Sequence, residues 1–168
     1  PALRDELALA HFRVGRIAEE VDSPGKGLAS YRKAHRLQTE LLIADPDSPN
    51  RLKALGDTLN AVGISLAKQR DFSAAREAYE EAIEVRQRLT ELLPEDRESR
   101  RTLANAYMNL GLVEKEQGSL QASRHLQQAQ EIRERLLAEG DDRKTRLDYA
   151  MGCYGLANLF MRTGQIDA

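Results

Sequence analysis

The chain has 168 residues, of which 31% are charged and 5% are aromatic, and it contains no Trp. Lys plus Arg (25) nearly balances Asp plus Glu (27), so it lacks the clustered excess of base that a nucleic-acid surface needs. No apolar run approaches the roughly 20 residues that span a bilayer, and the single Cys153 excludes an intrachain disulfide. We therefore expect a cytoplasmic protein that binds neither nucleic acid nor membrane.

The first 47 residues predict a pair of helices, near 3–21 and 26–44. Apolar residues recur in steps of three and four, which places each set on one side of a helix. These stripes are Leu7, His11, Val14 and Ala18, followed by Tyr31, Ala34, Leu37 and Leu41. Gly25 predicts the turn between the two helices, and Pro46 stands where the second must end.

The next two segments, about 48–95 and 96–141, predict two further pairs, with helices near 49–69, 72–93, 96–117 and 120–139. Ser48 followed by Pro49 is typical of a helix start, and Gly140 is typical of a helix stop. The stripes are Leu55, Leu59, Val62 and Leu66; Tyr79, Ala82, Val85 and Leu89; Leu103, Tyr107, Leu110 and Glu114; and Leu126, Ala129, Ile132 and Leu136.

The last segment, about 142–168, predicts one complete helix near 142–163 and the start of an eighth near 166. Its stripe is Tyr149, Cys153, Leu156 and Phe160. The chain begins at Pro1 without a Met and stops where a helix should start. We therefore expect a single repeat domain over 1–168 that is a fragment of a longer protein, with a truncated fourth repeat whose uncovered apolar end promotes homo-oligomer formation.

These segments are copies of one unit. Gly15, Gly63 and Gly111 are 48 residues apart, and so are Pro46 and Pro94. The first-helix stripes of the second and third copies repeat at the same distance, and the fourth is displaced by 46. A fixed period of this kind is the signature of a repeat architecture.

The copies resemble the tetratricopeptide repeat (TPR). The second copy carries the pattern nearly complete: Leu59, Val62, Gly63, Leu66, Ala75, Tyr79, Ala82 and Pro94. The third carries Tyr107, Leu110, Gly111, Ala122, Leu126 and Ala129. Residues 84–89 and 131–136 are similar to the tails of kinesin-light-chain-type repeats. The resemblance implies an all-α fold of antiparallel helical hairpins stacked as a right-handed superhelix, or α-solenoid.

The repeat length departs from the family. The usual period is about 34 residues, so each copy carries about fourteen more. Pro46 and Pro94 come about seven residues late. Seven residues are nearly two helical turns, so we expect both helices of neighbouring pairs to be extended on the same side.

No catalytic or metal site is predicted. His11, His35 and His125 are too dispersed for a ligand set, and His11 and Cys153 share a repeat position with Leu59 and Tyr107, which places them in the core. The sequence Gly25-Lys26-Gly27 lacks the spacing of a phosphate loop. We expect no cofactor and no enzymatic activity in these residues.

The resemblance implies that the first helices of successive hairpins line a concave groove that binds a protein or peptide. The groove-facing positions would be Phe12, Arg13, Arg16, Asn60, Ile64, Lys68, Asn105, Met108, Asn109, Leu112, Lys115, Tyr154, Asn158 and Arg162. Asn60, Asn109 and Asn158 are of particular interest, because a carboxamide can both donate to and accept from a peptide backbone. The plain alternative is that these Asn side chains are merely solvated.

The predicted function is a non-catalytic scaffold that holds a protein or peptide. A structural element that self-associates is the first alternative. The second is a regulatory region of a larger bacterial signalling protein, since such arrays resemble regions attached to Ser/Thr kinase domains. The fold also predicts which side chains are buried: Leu59, Val62, Tyr79, Val85, Leu89, Leu110, Leu126, Ile132 and Leu136. Those predicted to be exposed are Glu80, Glu84, Arg88, Gln127 and Arg133.

Overall fold

The structure, a computed structural model, describes residues 2–21, 25–140 and 142–163 and consists of seven α-helices. They are α1 (Ala2–Val21), α2 (Leu28–Ala44), α3 (Pro49–Lys68), α4 (Phe72–Leu92), α5 (Arg97–Glu116), α6 (Ala122–Glu139) and α7 (Arg143–Thr163). No strand occurs in the described ranges. Every helix end lies within two residues of its predicted position. The predicted eighth helix lies outside the described residues.

Local capping fixes the starts of α4, α5 and α7. The carboxylate of Asp71 accepts a hydrogen bond from the backbone N–H of Ala74, and Asp96 caps α5 in the same way. Asp142 accepts from the backbone N–H of Thr145 at 2.9 Å. A side-chain oxygen at this position satisfies an N–H that has no partner within the helix.

The helices pack as an open array of hairpins. Each helix contacts the next one along the chain, and the first helices of the hairpins also contact one another in the pairs α1–α3, α3–α5 and α5–α7. Over the described ranges the backbones of α2 and α4 stay apart, although His35 of α2 bonds to Glu81 of α4 at 3.0 Å. No close backbone approach joins α4 to α6 or α1 to α7 in these ranges. The first helices therefore lie on the tighter, concave side. This confirms the TPR-like solenoid and excludes a closed bundle of the described helices.

Each complete hairpin closes around the repeated glycine. A Cβ atom at Gly63 would lie 2.5 Å from Cε1 of Tyr79, and one at Gly111 would lie 2.8 Å from Cγ of Leu126. Gly15 meets Tyr31 in the same way. Because any larger residue would overlap the side chain opposite, these glycines set how closely the two helices of a hairpin approach.

Most of the predicted core is confirmed. Seven of the nine residues are buried, and Val85 and Ile132 are partly buried against the core. Glu80, Glu84, Arg88 and Gln127 are exposed as predicted. The prediction for Arg133 is wrong, because its side chain is 0% exposed. The helix α6 lies between α5 and α7, so its buried side is wider than a single apolar stripe.

The burial prediction for Cys153 is also wrong, and the first stripe is more exposed than its copies. Leu7 and Val14 of the first stripe are 47% and 53% exposed, whereas their counterparts Leu55 and Val62 are buried. The counterparts are covered by the preceding second helix, and no such helix precedes α1 in the described residues. Cys153 is exposed. His11 is partly buried, as expected.

The helix ends opposite the hairpin turns carry ion pairs that join neighbouring hairpins. Arg51 contacts Asp5 at 3.1 Å, and Arg88 contacts Asp47 at 2.6 Å. Arg97 contacts Asp142 at 3.1 Å, whereas the pair of Arg100 and Glu139 joins the two helices of the third hairpin. Arg101 bridges Glu98 and Asp148. The added helical turns therefore extend the contact between hairpins with polar links.

Candidate functional site

The candidate site is the face formed by the first helices α1, α3, α5 and α7, which we call the first-helix face. The gaps between adjacent first helices contain three depressions. The N-terminal cavity, about 530 Å³, lies between α1 and α3 with α2 behind it. The turn-side pocket, about 190 Å³, lies between α1 and α3 near the hairpin turn. The C-terminal cleft, about 420 Å³, lies between α5 and α7.

The N-terminal cavity has mostly apolar walls. They include Ala8, Leu9 and Phe12 of α1, Leu41 of α2 and Ala54 of α3. Phe12 is the only residue among the predicted groove positions that lies here. Its ring packs at 5.7 Å, centroid to centroid, against that of Tyr31, which fixes this wall of the cavity.

The turn-side pocket brings together three predicted residues, Arg16, Ile64 and Lys68. The carboxylate of Glu19 lies at its centre. It accepts a hydrogen bond from the Ser65 hydroxyl and pairs with the Lys68 ammonium at 3.6 Å. This pocket is thus polar, and its polar side chains largely contact one another.

The predicted asparagines have different environments. Asn109 of α5 donates a hydrogen bond from Nδ2 to Oδ1 of Asn60 on α3, at 2.9 Å. Asn105 accepts a hydrogen bond from Nη2 of Arg133 at 2.9 Å. The pair of Asn60 and Asn109 thus links neighbouring first helices, while one amide nitrogen and one amide oxygen of the pair form no hydrogen bond within the described residues.

The C-terminal cleft brings together five predicted residues: Met108, Leu112, Lys115, Tyr154 and Asn158. The helices α5 and α7 both contribute to it, and the cleft has an apolar floor and polar edges. Tyr154 is 72% exposed and Met151 is 54% exposed beside it. The side chain of Arg162 lies outside the described residues. That these residues bind a partner stays a prediction.

Two buried arginines lie behind the first-helix face at equivalent repeat positions. Arg86 of α4 donates from Nη2 to Asp57 of α3 at 3.2 Å and from Nη1 to the carbonyl oxygen of Thr102 at 2.6 Å. Arg133 of α6 donates to Asn105. Burial lowers the pKa of both guanidinium groups from the ordinary value, and the Asp57 carboxylate partly offsets this effect for Arg86.

The sequence analysis missed this position. The residue at the same place in the first hairpin is Gln38, 48 residues before Arg86, and it is 6% exposed. The partner position also differs, since Leu9 stands where α3 and α5 carry Asp57 and Asn105. Both differences are visible in the sequence, at residues 38, 86 and 133 of the second helices and at residues 9, 57 and 105 of the first helices.

A metal centre and a membrane-spanning helix would be other kinds of functional feature in the described ranges. No group of three or more His, Cys, Asp or Glu residues there could hold a metal ion. None of the helices in these ranges combines the length and apolar character that a membrane crossing requires. Gln130 donates a hydrogen bond to the Cys153 sulfur at 3.0 Å.

Comparison with known families supports the repeat assignment. A family model described as tetratricopeptide repeat matches residues 55–94 and residues 103–141. These ranges cover most of the α3–α4 and α5–α6 hairpins, where the sequence pattern is most complete. A comparison with curated proteins finds no match.

Proposed function

Because this chain is a TPR-like helical repeat protein, we propose that it is a scaffold that binds a protein or peptide segment along the first-helix face. Repeats of this family generally mediate protein–protein interactions and are typically non-catalytic. The proposal here is narrower. It assigns the binding to one face of this array and to side chains in the depressions between its helices.

One observation carries the proposal: the first helices lie side by side, and depressions occur at both ends of the face that they form. The C-terminal cleft joins Met108 and Leu112 of α5 to Tyr154 of α7. Between the depressions, Asn60 and Asn109 offer amide groups at the surface of the face. An extended chain could place apolar side chains in the depressions and bond its backbone to these amides.

The test is selection of peptides from a display library against the chain, followed by calorimetry. Tyr154→Ala removes an exposed contact residue, so it should weaken binding about tenfold or more while leaving the helical signal unchanged. Glu84→Ala and Gln127→Ala are matched controls, because both residues are exposed on second helices. Equal losses for Tyr154→Ala and the two controls would contradict binding at this face.

Self-association is a second candidate, supported by the exposed side of α1. Five large apolar residues lie on one stripe there: Leu3, Leu7, Val14, Ile17 and Val21. Their counterparts in α3 and α5 pack against the preceding second helix. A second copy could cover this stripe. Light scattering over a range of protein concentrations measures whether the mass rises with concentration. A constant monomer mass would exclude this candidate.

A further inference from the structure

We propose that the N-terminal cavity binds an aromatic side chain of the protein partner, and that the donor at the tip of that side chain, a tyrosine O–H or a tryptophan N–H, bonds to Oε1 of Gln38. The proposal rests on the proposed function, since it names the kind of side chain that would anchor a bound segment. Three features support it: the differences between the repeat copies, an unpaired polar group and the walls of the cavity.

The repeat explains why a cavity occurs here. In the second hairpin the side chain of Arg86 passes Gly56, where a Cβ atom would lie 3.1 Å from its Cγ, and ends at Asp57. Arg133 fills the equivalent space in the third hairpin. The first hairpin has the shorter Gln38 at this position. Space that the chain fills with its own side chain at two sites is therefore open at the first.

The carboxamide of Gln38 is a buried polar group in this space. The residue is 6% exposed and lines the cavity. Its Oε1 has no hydrogen-bond partner among the residues that the structure describes. Leu9 replaces the acidic or amide residue that serves the arginine elsewhere, so the polar partner found in the later hairpins is missing at this position. A buried acceptor of this kind favours an incoming donor, because leaving it unpaired costs free energy.

The walls select an aromatic group over a cation. Ala8, Leu9, Phe12, Leu41 and Ala54 provide apolar contact. The volume lies within the usual range for pockets that hold organic groups. Buried tyrosine and tryptophan need one partner for the polar tip and an apolar surface for the ring. Gln38 and these walls supply both.

The carboxylates at the edge of the cavity already have partners. Both carboxylate oxygens of Asp5 accept hydrogen bonds from Arg51, at 3.2 and 3.1 Å. One oxygen of Asp57 accepts from Arg86. Lys53 also lines the cavity, so a guanidinium or ammonium group would meet a like charge there. It would find no carboxylate that is without a partner. An arginine or lysine anchor is therefore disfavoured.

The test is a methyl NMR titration of the whole chain with indole and with N-methylindole, which has the same ring but no donor. Indole should cause saturable shifts at the methyl groups of Ala8, Leu9, Leu41 and Ala54. N-methylindole should bind about tenfold more weakly, as expected for one lost hydrogen bond to a buried acceptor. Gln38→Leu removes the acceptor at similar size, so the two probes should then bind equally.

A second variant closes the cavity. Gln38→Arg combined with Leu9→Asp copies the pairing of Arg86 with Asp57, so the fold should be kept, as judged by circular dichroism, while the indole shifts disappear. Should that variant fail to fold, Gln38→Leu still decides the matter. Equal affinity of the two probes for the original chain, or shifts centred on Met108 and Met151 instead, would overturn the proposal.

These outcomes separate the cavity from the proposed function. A selected peptide that binds the first-helix face with an aliphatic anchor, unaffected by Gln38→Leu, would refute the aromatic anchor and leave the scaffold function intact. Donor-dependent binding of indole in the cavity, together with no selected peptide on the face, would support the cavity chemistry and refute the scaffold function.

Discussion

Glu114 and His125 form a hydrogen-bonded pair in the core of the third hairpin. Nδ1 of His125 lies 2.6 Å from Oε2 of Glu114, which is 2% exposed. The imidazole also stacks on the ring of Tyr107. The second hairpin has Leu66 and Ala78 at the same two positions, both in its apolar core. The same place in the fold thus tolerates either chemistry.

Removing one partner of this pair should lower the free energy of unfolding more than replacing both partners. His125→Ala leaves a buried carboxylate without its partner, so we expect the free energy of unfolding to fall by roughly 3 kcal/mol. The double variant Glu114→Leu/His125→Ala copies the second hairpin and should lie within about 1 kcal/mol of the original chain. Urea unfolding followed by circular dichroism measures both. A double variant as unstable as His125→Ala would show that the pair does not act as a unit.

Arg133 shows why single residues escaped prediction from the sequence. A stripe of Leu126, Ala129, Ile132 and Leu136 assigns the neighbouring arginine to solvent. The structure instead turns Arg133 inward, where Asn105 accepts its hydrogen bond and Ile132 is only partly buried. An apolar stripe identifies which residues face one neighbouring helix. It does not predict a buried polar residue at the boundary between two neighbours.

The approach of two helices within a hairpin depends on the repeated glycine. Gly63→Ala would place a Cβ atom 2.5 Å from the ring of Tyr79, which is buried and has no room to move. We expect a loss of about 1–3 kcal/mol, as for overpacked cores, despite the better helix propensity of alanine. The measurement is the free energy of unfolding in urea.

Gly155→Ala is the matched control for this change. A Cβ atom there would lie 3.7 Å from Cδ2 of Leu112, which is an ordinary contact. Alanine in a helix interior is favoured over glycine by about 1 kcal/mol, so Gly155→Ala should be neutral or stabilising. If Gly63→Ala proved as well tolerated as Gly155→Ala, the close approach would not limit the hairpin.

The N-caps of α5 and α7 should make the stability of the fold depend on pH in the acidic range. Hydrogen bonds from the hydroxyl and backbone N–H of Thr145 hold the pKa of Asp142 at about 2, and bonds from Ser99 lower that of Asp96. Both values lie below the ordinary pKa of about 3.9. Their contribution to stability is therefore complete above about pH 4 and is lost as the pH falls towards 2.

Asp96→Asn/Asp142→Asn tests this directly, because asparagine also caps a helix but does not titrate. The original chain should melt at a higher temperature than the variant at pH 6, and the difference should shrink as the pH approaches 2. Thermal melts at a series of pH values provide the measurement. A difference that stays constant with pH would mean that the two carboxylates do not contribute through ionisation.

Helix limits and the hairpin pattern were predictable because local chemistry fixes them. Asp96 and Pro49 mark helix starts without reference to any other part of the chain. The depressions of the candidate site depend on differences between copies, such as Gln38 in place of Arg86. The periodicity that identifies the repeat averages such differences away. The N-terminal cavity therefore follows from the packing of particular side chains and not from the repeat pattern.

At the scale of the whole molecule the array is linear, so each hairpin is stabilised chiefly by its neighbours. Each interior first helix is covered on one side by the second helix of the preceding hairpin. On the other side it is covered by the second helix of its own hairpin. Only the outermost of the described helices leave apolar sides open. On α7 this side includes Met151 and Met161, and on α1 it is a continuous stripe.

The stripe on α1 should promote self-association if a second copy covers it. Leu3 and Val21 at its ends are 78% and 77% exposed, and Leu7 and Val14 lie between them. Burying such a stripe removes apolar surface from water, at about 25 cal/mol per Å². Leu7→Lys/Val14→Glu would place charges at its centre, so the mass measured by light scattering should become independent of concentration while the helical signal stays the same.

Ile43→Lys is the control for this prediction, because Ile43 is also 78% exposed but lies alone on α2, away from the stripe. It should leave the concentration dependence unchanged, since an isolated apolar residue offers too little surface for a second copy. Loss of self-association in both variants would point to a general effect of charge on solubility. Persistent association in Leu7→Lys/Val14→Glu would move the contact to the exposed side of α7, where Tyr154→Ala would then be expected to weaken it.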